Sequence, residues 1–237
     1  MILSLERKKL KHTGISAAFL GGALLAASIP VLNTYFRKDM FIYQHLPSLE
    51  ILLNANGQML SMMNLFLCLI GACIIFHTEF SGNGMKKMST LPVSPLKLFA
   101  AKSFLLTFWA LIALIIESSS LYFCQIHWFP KEDAVFSGII SYTASSLLFL
   151  LPALILMLMV ASCCSNMWIS LGTGVICIFV ATLMPVKDSV LSFFLLVLPF
   201  QNLYSENFTF LLCAALIQLA FLGCAEIIII KLRRILL

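Results

Sequence analysis

The chain has 237 residues, 61% of them apolar and only 11% charged, with a mean hydropathy of +1.03. A soluble surface needs roughly 25% charged residues, and 15 basic plus 10 acidic side chains cannot cover a globule of this size, so soluble enzymes, nucleic-acid-binding modules and disordered scaffolds are excluded. The net charge of +5 is scattered between long uncharged runs and makes no basic face for nucleic acid; it fits the topology signal of an all-α polytopic membrane protein.

A bilayer core of about 30 Å takes about 20 helical residues, so gaps between charges read as span lengths. After the basic stretch Leu5-Glu6-Arg7-Lys8-Lys9-Leu10-Lys11, 25 residues from His12 to Phe36 carry no Asp, Glu, Lys or Arg, which predicts a first span at 13–36. Basic, apolar and small-residue regions in this order imitate a signal peptide. The apolar run outlasts the 7–15 residues of a signal core, however, so an uncleaved span is expected. A second gap of 28 residues, Ile51 to Thr78, predicts a span at 52–77, and Ser103 to Pro130, interrupted once by Glu117, predicts a third at 100–127.

Ala134 to Val186 is 53 residues without a formal charge, and a single helix of that length would be about 80 Å long. It must fold back, with Ser162-Cys163-Cys164-Ser165-Asn166 as the turn, giving spans at 136–161 and 167–185. The apolar stretch 189–200 reaches only about 18 Å and reads as re-entrant or interfacial, and 208–230 supplies the last span. The expectation is one domain, 1–237, of six transmembrane helices.

Six spans put both termini on one side together with 11 of the 15 basic residues; by the positive-inside bias that side is the cytoplasm. If 189–200 also crossed, Lys231, Arg233 and Arg234 would move outside and the bias would nearly vanish. The eight cysteines lie in or beside apolar runs, without C-x-x-C spacing or a His partner, and are expected to be free, buried thiols. No metal or cofactor is expected on the chain. No G-x-x-x-x-G-K-[ST] loop, paired catalytic carboxylates, Ser-His-Asp set or H-E-x-x-H occurs, so a catalytic role is not expected and ATP hydrolysis must come from elsewhere.

Charges inside spans are functional by default. Glu117 lies about 22 Å along span three from Lys102, in the outer half; it reads either as a structural polar contact or as a counter-charge on a cationic substrate's path. Glu226, five residues from Lys231, predicts an ion pair near the inner face. Gln218 and the hydroxyls of Ser141, Thr143, Ser145 and Ser146 read as helix-packing groups.

The longest predicted cytoplasmic loop, 78–98, begins at Glu79, breaks at Gly82 and Gly84, carries the amphipathic Met85-Lys86-Lys87-Met88-Ser89-Thr90-Leu91 and is redirected by Pro92 and Pro95. A basic loop of this kind can simply lie on anionic lipid. Glu79, the glycines, the basic-apolar helix and Leu91-Pro92-Val93-Ser94 leading to Ala101-Lys102 resemble the loop between spans two and three of ABC-2-type transporter permeases. The N-terminal basic stretch resembles the amphipathic elbow with which those permeases begin. Size and the lack of an ATPase domain are most similar to the small permeases of bacitracin-resistance and lantibiotic-immunity exporters.

The resemblance implies a bacterial cell-membrane permease that pairs with a second, identical or similar, permease chain and with separate ABC ATPase subunits, which bind ATP and Mg. It makes the segment from Glu79 to Pro92 a coupling helix, with Met85, Met88 and Leu91 as apolar anchors and Lys86 and Lys87 as polar contacts. It places a short re-entrant hairpin at 189–200. It also suggests a cationic or amphiphilic peptide antibiotic as cargo, another cargo or a non-transporting scaffold or sensor being the alternatives.

Overall fold

The computed structural model describes residues 2–11, 13–42, 44, 46–80, 94–130, 136–184, 194–201, 204 and 208–236. Among these it is entirely helical: α1 (Ile2–Leu10), α2 (Ile15–Ile42), α3 (Ser48–Phe80), α4 (Pro95–Trp128), α5 (Phe136–Cys163), α6 (Met167–Leu183) and α7 (Phe208–Leu236), with a 3-10 turn at Leu198–Phe200.

The helix ends have local causes. In α2, Pro30 lacks the backbone donor that would serve the Ala26 carbonyl, and one turn later Thr34 Oγ1 donates to the Pro30 carbonyl at 2.7 Å. The helix then breaks at Arg37 (φ −125°, ψ 23°), the first charge after the long uncharged run. Ser94 is extended, as a residue before proline must be, and Pro95 opens α4 at the position where a missing N–H costs nothing. Asn166 caps α6, its side chain accepting from Trp168 N at 2.9 Å. The polar cluster read as a turn is therefore a turn, bounded by the end of α5 and this cap.

Five helical segments are long and apolar enough to cross a bilayer: Ile15–Phe41, Ser48–Phe80, Pro95–Trp128, Phe136–Cys163 and Phe208–Ile229. Helix α6, where a sixth crossing was expected, has 17 residues; at 1.5 Å per residue it reaches about 25 Å, less than the apolar core. By contrast α3 and α4, with 33 and 34 residues, run to about 50 Å each and project beyond that core.

Helix α3 is the centre of the bundle, packed against α2, α4, α5, α6 and the 3-10 turn. Glycine makes one of these approaches possible. A Cβ on Gly71 would meet Phe19 of α2 at 2.8 Å and would collide with Leu106 of α4, so three helices close together there. Helices α6 and α7 are peripheral and leave large apolar side chains such as Trp168, Phe179, Phe210 and Phe221 exposed, as lipid-facing or partner-facing helices must. The same exposure revises the cysteine expectation: Cys68, Cys73 and Cys124 are buried, Cys164 is half-buried, and Cys163, Cys177, Cys213 and Cys224 are exposed; none of the eight forms a disulfide. The exposed set lies at the end of α5 and on the peripheral helices, whose outer faces are exposed among the described residues.

Gly71→Val is expected to lower the stability of the detergent-solubilised protein by about 1–3 kcal/mol through overpacking, read as a fall in thermal midpoint. Gly21→Ala, with nothing within 4 Å of the added Cβ, is expected to change it by less than about 0.5 kcal/mol.

Candidate functional site

Three helix ends meet at one end of the bundle and bring four charged side chains together. Lys102, in the second turn of α4, is 1% exposed; Glu6 of α1 and Glu79, next to the last residue of α3, are 2% and 3% exposed. Lys102 Nζ lies 2.9 Å from Glu6 Oε2 and 2.6 Å from Glu79 Oε1, and Lys9 Nζ lies 2.6 Å from Glu6 Oε1. The Lys102 ammonium also stands over the Phe76 ring, 5.3 Å from its centroid. Two cations and two anions leave no net charge, which is what makes burial tenable where each isolated ion would cost several kcal/mol. Burial pushes the Glu6 carboxyl up, but Lys102 and the hydrogen bonds from Lys9 and Lys102 outweigh it and hold the group below its ordinary value.

From this cluster a series of polar contacts runs along α3, to α6, α4, the 3-10 turn and α2. Cys73 meets Ser170 of α6 at 3.6 Å, Asn64 Nδ2 donates to Glu117 Oε2 of α4 at 2.8 Å, and Ser61 Oγ donates to the Pro199 carbonyl at 2.5 Å. Farther on, Asn33 of α2 donates to Asn56 Oδ1 at 2.7 Å, and Gln125 of α4 donates to Ser48 Oγ at 2.9 Å. Hydrogen bonds between helices in a membrane are worth about 0.6 kcal/mol on average; their directionality fixes the rotation of α3 against each neighbour.

The two contacts between charged α4 residues and α3 share one register. Glu79 and Asn64 are fifteen residues apart, as are Lys102 and Glu117, so both contacts lie on the same face of an antiparallel pair, about 22 Å apart. Glu117 is completely buried. Its Oε2 takes the Asn64 bond and its Oε1 has no partner among the described residues. Ser118 and Thr143 share a hydrogen bond at 2.7 Å beside it.

Of the residues expected at the inner loop, Glu79 is placed in the cluster; Met85, Lys86, Lys87, Met88, Leu91 and Pro92 lie outside the described residues. Glu226 is buried on α7, and its expected partner Lys231 lies outside the described side chains. The partnership of Glu6 was not expected. Its signal was a lone acid amid Arg7, Lys8, Lys9 and Lys11 before an apolar run, an arrangement that calls for a cation from another element. Asn56, Ser61 and Asn64 were missed too, although amide and hydroxyl groups inside an uncharged run call for partners across the bundle.

The model of the family described as ABC-2 family transporter protein matches residues 2–182. The chain belongs to the ABC-2 transporter family. The match takes in the whole cluster, the Asn64–Glu117 contact and helices α1 to α5. No curated protein and no solved structure gives a significant match. As an ABC-2 family member this multi-pass membrane protein is the non-catalytic permease component of an ABC transporter, a family that normally works with ABC ATPase subunits.

Lys102→Ala leaves two buried carboxylates without their shared cation and is expected to cost about 3–5 kcal/mol, whereas Lys9→Ala, whose side chain is 43% exposed, is expected to cost under about 1 kcal/mol. Thermal unfolding in detergent compares the two, and equal losses would refute the central place of Lys102. The lowered Glu6 carboxyl also sets a sign for acid. Its contribution is fully present above its ordinary value of about 4.5 and disappears as the pH falls through the lower folded-state value. Stability in an acid titration should therefore fall in that window, and Glu6→Gln should shrink the fall.

Proposed function

We propose that this ABC-2 permease is the membrane subunit of an ATP-driven exporter of a membrane-active peptide antibiotic, of the lantibiotic or bacitracin type, serving self-protection or resistance. The reading has it cross a bacterial cell membrane six times, α6 completing the sixth crossing with the aid of flanking residues, and keeps both termini in the cytoplasm. It pairs with a second permease chain, and ATP and Mg bind to separate ATPase subunits.

One observation carries the coupling part of this reading. Glu79 and Lys102, which bracket the loop holding Lys86 and Lys87, are joined to each other and to Glu6 in a single buried cluster. A loop whose two stems are locked together cannot absorb a push by splaying; a displacement applied to it moves the ends of α3 and α4 and the short helix α1 as one body. In this reading α1 is the elbow, residues 79–92 form the coupling helix that seats in a cleft of the ATPase, and Met85, Met88 and Leu91 anchor it. The stretch up to Phe200 is a re-entrant cap, consistent with the burial of Leu196, Val197, Leu198 and Phe200. Glu117 is the acidic group that a cationic cargo meets, and the exposed apolar side chains of α6 and α7 suit a cargo that stays in the lipid.

Charge reversal of Lys86 and Lys87, or Met88→Asp, is expected to abolish co-purification of the permease with its ATPase subunit, while the permease itself still inserts. Unchanged co-purification would remove the coupling-helix assignment. Cells carrying the intact complex should survive nisin or bacitracin better than cells lacking it; equal survival across both peptides would discard the immunity reading and leave the permease in place for another cargo, such as a bacteriocin, lipid, polysaccharide or ion.

A further inference from the structure

The buried acids of this chain are treated in two different ways. Glu6 and Glu79 share Lys102 and Lys9, so they can stay ionised inside protein. Glu117, about 22 Å away along α4, has no exposed surface and forms no ion pair with Lys, Arg or His among the described residues. Among the described residues, the hydrogen bond to its carboxyl group comes from the neutral amide of Asn64.

Among the described residues, the neighbouring elements offer no cation to compensate a negative charge there. The titratable side chains in electrostatic reach are Cys68 of α3 and Tyr142 of α5, both neutral near physiological pH. Helix α1 commits Glu6 and Lys9 to the far cluster. Helix α2 carries Arg37, Lys38 and Asp39 exposed at and beyond its kink, and the buried acid on α7 is Glu226, which has the wrong sign. An ionised carboxylate here would be desolvated with one neutral donor, whereas a protonated one gives up far less hydration.

A small polar pocket lies against this acid. A cavity of about 10 Å³ is lined by Ser61, Asn64, Leu114, Tyr142, Ser146, Leu150 and Pro199, room for about one ordered water among several hydrogen-bonding groups; Glu117 reaches it through Asn64, which lines the cavity and donates to Glu117 Oε2. Asn64 belongs to both the pocket and the Glu117 contact. One wall of the pocket is Pro199 of the Leu198–Phe200 turn, whose carbonyl accepts a hydrogen bond from Ser61 Oγ. A buried acid with a free oxygen, an amide shared with a water-sized pocket and a hydrogen-bonded cap above it are the parts of an exchangeable proton site.

We propose that Glu117 is a proton-binding site of this permease, neutral in the closed bundle and reached from bulk water through the Ser61–Pro199 cap. The step is a simple one. With the cap open, the proton leaves the carboxyl for pocket water and passes to bulk, and reprotonation follows the same route. The assignment is independent of the cargo: it holds whether or not a cationic peptide ever meets this acid. It adds to the permease a group whose charge depends on which side of the cap has access to water.

Difference infrared spectroscopy of the full-length protein in lipid nanodiscs tests this. At neutral pH the parental protein is expected to show a protonated-carboxyl C=O band that Glu117→Gln removes, and the band should shift downward on exchange into D2O. Asn64→Leu, which takes away the donor to Oε2, should move the same band to higher frequency and gives a second reading should the glutamine variant fail to assemble. Ser61→Ala should speed deuteration of the band about five-fold, the effect of losing one hydrogen bond on an opening equilibrium. Absence of any Glu117-dependent protonated band at neutral pH overturns the proposal, as does a carboxylate band at Glu117 that responds to sodium, which would make the site a cation site. A deuteration rate unaltered in Ser61→Ala overturns the route through the cap.

Discussion

A lysine ammonium with 1% of its surface exposed is tenable only if anions accompany it into the interior, and in this chain the anions come from two other elements. Lys102 therefore does more than pair. It demands that the last turn of α3 and the short helix α1 be present at the second turn of α4, because withdrawing either carboxylate would leave an uncompensated buried charge. The loop between α3 and α4 inherits that demand: its two stems are tied at one point and to a third element. This gives that end of the bundle a defined shape out of residues ninety-six positions apart in the chain.

Rigidity imposed there reaches the other half of the bundle through α3. Its neighbours are held by directional polar contacts at successive levels, and the pair α3/α4 is held twice on one face, at Glu79–Lys102 and at Asn64–Glu117. Two helices pinned at levels about 22 Å apart cannot rotate independently about their long axes without breaking one contact or the other. They can tilt or slide as a unit, the kind of motion by which a force on the inner loop would be felt at Glu117. Helices α6 and α7 are less enclosed, and α6 is joined to α3 by packing and a weak thiol–hydroxyl contact, so any rearrangement has more freedom at that flank.

Much of this architecture was legible in the spacing of charges, because lipid forbids unpaired charge over long stretches and every helix must use its residues at 1.5 Å each. The break at Arg37, the turn ahead of Asn166 and the start at Pro95 each have a signal in the chain: the first charge after a run, a side chain that caps, a proline and the extended residue before it. Counting was less secure at α6, where the run is long enough in sequence but the helix stops at Leu183 after 17 residues. Site residues were legible one at a time and not in pairs. Glu79 stood out as a helix end, Lys102 as a topology marker and Glu117 as an intramembrane acid, while Glu6 and Asn64, which give two of these their partners, did not. Helix periodicity determines which residues share a face of one helix; which faces meet is settled by packing of side chains far apart in the chain.

The contrast between the two acidic levels follows from the distribution of basic residues. At the Lys102 cluster two lysines accompany two carboxylates, so both acids can be buried there and used as rigid ties. At the level of Glu117 no such cation is present among the described residues, and any cation placed on a lipid-crossing helix costs several kcal/mol unless it too is paired. An acid kept at that level must then be neutralised by something that comes and goes. A proton is the smallest such partner, and a water-sized pocket under a hydrogen-bonded turn gives it a route that a fixed lysine would have made unnecessary. Glu6 and Glu79 thus belong to the mechanics of the chain and Glu117 to its exchange with the medium, a division that comes from where lysine can be afforded in a membrane.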